Sequence, residues 1–136
     1  MKKITTTLAV AIIVLLLFTG CEKINRGQYI GKWDFMERYM VHVGHETVID
    51  TTMYYSGKIS RGGTYNRLNI KYSESSSISL NVDENGELFE STSDYDSSVG
   101  RFEGNDKILI FLRQSEGMGC AANTTISGVK IERGQQ

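Results

Sequence analysis

Few residues in this 136-residue chain combine the type and spacing that chemistry requires. Glu37 stands between Phe35 and Tyr39 in a series of alternate positions that is otherwise apolar. A carboxylate facing a core is costly unless it is paired or protonated. Glu37 is therefore a candidate contact for a polar ligand group or for an interior arginine, Arg67 or Arg101, and the plainer reading is a β-bulge that turns it outward. His42 and His45 are the only histidines. With Glu46 as the one further ligand nearby, and with residues three apart facing opposite sides of a straight strand, no metal site is expected. Cys120, in Gly117-Met118-Gly119-Cys120-Ala121-Ala122, has no neighbouring base to make it a nucleophile and reads as a small buried hydrophobe in a glycine loop. Asp94 and Asp96 flank Tyr95 without the regularly spaced oxygen ligands of a calcium loop. There is no phosphate loop, no Gly-x-Ser-x-Gly, no paired carboxylate motif and no Cys-x-x-Cys, so neither an enzyme nor a cofactor is expected.

The other cysteine, Cys21, has a different setting. Met1-Lys2-Lys3 is followed by an unbroken apolar run over residues 8–18. Eleven helical residues span about 17 Å, too short for a hydrocarbon core of about 30 Å. The run has no polar face to suit a core helix, so it reads as an export signal. Phe18-Thr19-Gly20-Cys21 resembles the bacterial lipobox, with Phe18 where leucine is usual. The resemblance implies that residues 1–20 are removed and that Cys21 is acylated on its thiol and its amine. Two or more chains anchor a protein stably. Residues 21–30 are then the lipidated cysteine and a short tether, of which 22–30 reach about 30 Å at most. Residues 31–136 form a domain held close to its partner, the outer membrane.

Composition narrows the partners further. Without residues 1–20 the chain has 13 basic and 16 acidic residues, a net charge of −3, and no basic block longer than two. Nucleic acid is excluded as a partner on that ground. With no proline and two cysteines, the chain is neither a disulfide scaffold nor proline-rich disorder.

The elements that must position these residues follow a period of two from Lys32 onward, the pattern of antiparallel strands. Trp33, Phe35, Glu37, Tyr39, Val41 and Val43 share one face of the first run, residues 32–43. Residues 46–59 put Thr47, Ile49, Thr51, Met53 and Tyr55 on one face, and residues 65–73 alternate Leu68, Ile70 and Tyr72 with Arg67, Asn69 and Lys71. Ile78, Leu80 and Val82 end at Asp83-Glu84-Asn85-Gly86, where Asn-Gly signals a two-residue type I′ hairpin. Residues 87–91 and 98–103 are short strands. Residues 107–114 are apolar on both faces from Ile108 to Leu112 and are expected to be buried on both. A loop over 115–123 precedes the last strand, 124–133.

Eight sequential strands in about 105 residues close into an antiparallel up-and-down barrel, which leaves no exposed edge; a two-sheet sandwich is the alternative. Such a barrel is just wide enough for its own side chains or for one small ligand.

Gly31-Lys32-Trp33 at the head of the first strand resembles the Gly-x-Trp start of lipocalin-like proteins. Gly100-Arg101-Phe102-Glu103-Gly104-Asn105-Asp106, an apolar strand, and then Ser127-Gly128-Val129-Lys130 are similar to the second half of small lipocalin-like lipoproteins of Bacteroidetes. The resemblance spans residues 30–133 and implies binding at an open barrel end, without catalysis. The chain lacks the lipocalin C-terminal helix and is short for a large calyx. Asp50-Thr51-Thr52 also resembles the O-glycosylation acceptor of that phylum. Two functions follow as expectations. The first is a membrane-anchored lipoprotein that binds a small apolar or amphipathic ligand, lined by Trp33, Phe35, Glu37, Tyr39, Tyr55 and Tyr72. The alternative is a protein-interaction module of an envelope complex, or an inhibitor like the barrel lipoproteins that block lysozyme.

Overall fold

The computed structural model describes residues 26–90, 98–115, 117 and 119–131. The expected export signal, Cys21, the first part of the tether, Tyr95 with its flanking aspartates, and Met118 lie outside the described residues. Eight antiparallel strands follow one another: β1 Gly31–Val43, β2 Glu46–Arg61, β3 Arg67–Lys71, β4 Ser77–Val82, β5 Glu87–Phe89, β6 Gly100–Glu103, β7 Lys107–Ser115 and β8 Cys120–Lys130. Each pairs with the next and β8 returns to β1, so the sheet is a closed up-and-down barrel.

The closure follows from the alternation. Trp33, Phe35, Ile59, Leu68, Ile70, Leu80, Val82, Leu88, Phe102, Ile108, Ile110 and Ile126 all point inward and retain 0–6% of their exposure. Each such burial stabilises by about 1.5–3 kcal/mol. The side chains at 0% touch no space that admits a water molecule, so the barrel interior around them is filled.

Two glycines let the largest of these side chains fit. A Cβ at Gly128 would lie 2.7 Å from the Phe35 ring, and one at Gly57 would lie 2.0 Å from the Lys71 carbonyl oxygen and 2.9 Å from the same ring. Phe35 therefore occupies the room that two missing side chains leave.

Several boundaries differ from the sequence expectation, each for a physical reason. The tether residues Arg26–Tyr29 form a 3₁₀ turn that closes one end of the barrel. Tyr29 stacks on Phe102 with ring centroids 3.7 Å apart, and the Trp33 indole N–H donates to the Tyr29 carbonyl at 2.9 Å. Arg26 donates to the carbonyls of Thr64 (2.6 Å) and Arg67 (3.1 Å), and Lys130 donates to Gln28 O.

The β4–β5 connection has four residues, 83–86, rather than the two of a type I′ turn. Gly86 takes the left-handed conformation, at φ 82°, while the Asp83 carboxylate accepts from the backbone N–H groups of Asn85 and Glu87. The last strand begins at Cys120 instead of 124, because residues 120–123 extend the ladder to Val43–Met40 of β1. Finally, β7 is not buried on both faces: Phe111 is 56% exposed, since no second layer covers the outer wall of the sheet.

The strands are unequal in length. β1, β2, β7 and β8 have 13, 16, 9 and 11 residues, whereas β3 to β6 have 3 to 6. The long strands run past the barrel as a flared four-stranded sheet in the order β2–β1–β8–β7.

Candidate functional site

The open end of the barrel, opposite the 3₁₀ turn, is where the candidate residues gather. Continuous register carries the inward face of β1 from Trp33 through Phe35 and Glu37 to Tyr39, with Glu37 opposite Met53 of β2 and Ile126 of β8. There is no bulge at Glu37, contrary to the plainer sequence reading; the one irregularity of this ladder lies between Val41 and His42. Glu37 therefore stays on the inward face, half-buried at the mouth.

The two arginines considered as its partners are elsewhere. Arg101 pairs with Glu103 at 3.2 Å on the outside, and Arg67 begins β3 at the closed end, where its carbonyl holds Arg26. What Glu37 does face is tyrosine. Burial pushes the Tyr72 phenol above its ordinary range, the Glu37 carboxylate and Tyr55 add to the rise, and a hydrogen bond with Ser76 opposes it. Tyr55 in turn donates to the Met53 sulfur at 3.0 Å.

The structure thus divides the six expected ligand residues into two groups. Trp33 and Phe35 belong to the packed floor and have no free surface to offer. Glu37, Tyr39, Tyr55 and Tyr72 are half-buried around the mouth. This arrangement presents a shallow polar-aromatic rim, which can donate and accept hydrogen bonds and stack on a flat group. A ligand of several hundred Å³ has no room in the filled barrel below it.

The remaining candidates do not join this rim. His42 faces the outer wall, with Nδ1 3.0 Å from the Thr47 hydroxyl, and His45 sits in the β1–β2 turn; among the described residues no three metal-ligating side chains converge. Cys120 is half-exposed at the start of β8, opposite Val43, and not a buried residue of a glycine loop. The sequence reading placed it in a loop because Gly117 and Gly119 precede it, yet these glycines make only the tight turn, with φ 71° and 78°. Thr51 is exposed in the middle of β2. Its neighbour Asp50 receives two hydrogen bonds from the Arg38 guanidinium, at 2.7 and 2.9 Å, and these hold its carboxyl below the ordinary range.

Sequence reasoning missed the wall outside the barrel. On the outer face of the flare Tyr54 is 76% and Phe111 56% exposed, and Val129, on the outer wall nearer the closed end, is more than half exposed. Their positions alternate with the core residues, and the continuous apolar run of β7 was the one available signal. No protein-family model, curated protein or solved structure matches the chain.

Proposed function

We propose that this chain is a membrane-anchored lipoprotein, of lipocalin-like barrel form, that works as a protein-interaction module of the envelope. The observation that carries this reading is the inversion of what a ligand carrier needs. The inside of the barrel is filled by its own side chains, while large apolar side chains stand on the outer wall of the flare. Exposed apolar groups on a rigid sheet mark a contact surface for another protein. Anchorage is supported by Cys21 following a short apolar run, and by the entry of the chain at Arg26, at the closed end. Four residues separate Cys21 from that end, so lipid on Cys21 holds the closed end near the bilayer.

A second reading, a small amphipathic ligand held at the rim, is favoured by Glu37 lying half-buried beside Tyr55 and Tyr72. A photoreactive residue in place of Phe111, in the full chain in its own membrane, separates the two. The expected result is one protein adduct. Recovery of the chain without a protein adduct but with a small molecule bound overturns the interaction reading. A Cys21→Ser chain should lose fatty-acid label and leave the membrane fraction; one that stays there defeats the anchorage.

A further inference from the structure

The edge of the flare formed by β2 is open. Among the described residues, β2 pairs with β3 only from Lys58–Lys71 to Arg61–Leu68, whereas its other side is bonded to β1 from Ile59 to Glu46. Residues 46–57, about 40 Å of strand at roughly 3.3 Å each, thus present backbone donors and acceptors with no neighbouring strand. Natural edges are blunted by lysine, proline, bulges or shortness. The other edge of the flare conforms: the part of β7 beyond β6 is a few residues long and carries Arg113. The β2 edge contains no Lys, Arg or Pro, five of its twelve residues are β-branched, and its one bulge, at Val48, leaves the register of residues 49–57 regular.

We propose that a second copy of this chain occupies this edge, pairing β2 with β2 antiparallel about a two-fold axis at Thr51. Two such strands in one sheet must keep inward faces together, so the axis falls on a residue and the paired positions share parity. An axis at Asp50 would set two carboxylates against each other. The axis at Thr51 sets Thr51 against Thr51, Asp50 against Thr52, and Ile49 against Met53. The last pair joins two apolar side chains that are 45% and 39% exposed in the single chain. Apolar and hydroxyl pairings of this kind, with no like charges set against each other, stabilise antiparallel sheets. The result is a continuous eight-stranded sheet, β7–β8–β1–β2 followed by its two-fold mate, with the long open edge removed. The axis stands normal to the sheet, so the two closed ends lie at one height along it and at opposite ends of the paired strands, and both copies reach one bilayer when the sheet lies along the membrane.

The surface in question is the edge and not the outer wall, so this inference stands or falls apart from the proposed envelope partner. The test is sedimentation velocity of the full chain in density-matched detergent. The wild type is expected as two copies. Ile49→Lys with Met53→Lys places lysine opposite lysine twice and should weaken association about tenfold or more, leaving one copy. Ile49→Lys with Met53→Glu sets opposite charges at the same two places and should restore the pair. Both positions are exposed, so the variants fold. A wild type that stays single at every concentration, a lysine–lysine variant that still pairs, or a lysine–glutamate variant that does not, each overturns the inference. So does a glycan found on Thr51, which would fill the axis.

Discussion

Gly57 is the residue whose replacement tests the architecture most directly. An added methyl would stand 2.0 Å from the Lys71 carbonyl oxygen and 2.9 Å from the Phe35 ring. The first contact is with backbone, so a rotamer change cannot relieve it. The seam it disturbs, β2 to β3, consists of four residue pairs and closes the barrel on that side. Overpacking against a fixed ring costs about 1–3 kcal/mol, and the loss of one ladder hydrogen bond adds about 1 kcal/mol. The reduced freedom of the unfolded chain returns about 0.4–1 kcal/mol. Gly57→Ala should therefore destabilise by about 2–3 kcal/mol, a fall in Tm of roughly 10–20 °C for a domain of this size. Urea unfolding followed by the fluorescence of Trp33, the single tryptophan, measures it. Gly63→Ala is the control, since nothing lies within 4 Å of its added methyl, and it should stay within about 0.5 kcal/mol of the wild type. Adding Phe35→Leu to Gly57→Ala should reveal coupling, because it removes the ring but not the carbonyl clash. If Gly57→Ala is as stable as Gly63→Ala, the described closure of the barrel is wrong.

Other outcomes follow from the same contacts. Trp33→Phe leaves the Tyr29 carbonyl without its buried donor and should cost about 2–3 kcal/mol, with faster amide exchange in the 3₁₀ turn than elsewhere; uniform exchange would separate the turn from the barrel floor. Glu37→Gln should lower the Tyr72 phenol pKa toward the ordinary value near 10, read by tyrosinate absorbance with Tyr72→Phe as reference; an unmoved titration places Glu37 away from the rim. Because folding raises this pKa, its contribution to stability is complete below about pH 10 and declines as pH rises through the raised value. Tyr72→Phe should flatten that decline, as denaturant midpoints across alkaline pH would show. On the outer wall Lys58 lies directly opposite Lys32 on one side and Lys71 on the other. Lys58→Glu should stabilise by about 0.5–1 kcal/mol at low salt and less at high salt, and a loss of stability would contradict the register.

The number of strands, their order around the barrel and the inward set led by Trp33 and Phe35 were legible from the residues, because alternation is local: a period of two sorts side chains to two faces whatever the partner strands are. That logic placed Glu37, Tyr39, Tyr55 and Tyr72 on the inward face as well. It did not show that Trp33 and Phe35 lie in a packed floor while the other four stand at a rim, because depth along a barrel depends on where the neighbouring strands stop. The same reason hid the open edge of β2, which only the shortness of β3 to β6 leaves uncovered. Phe111 faces water because no second layer covers the outer wall, which alternation within the chain does not reveal. The 3₁₀ turn at Arg26–Tyr29 was invisible for another reason: beside the local bond from Trp33, its hydrogen bonds join it to Lys130 and to the carbonyls of Thr64 and Arg67, groups distant in sequence that only the closed sheet brings together. What faces what was written in the chain, whereas what is left facing water was decided by the lengths of strands packed side by side.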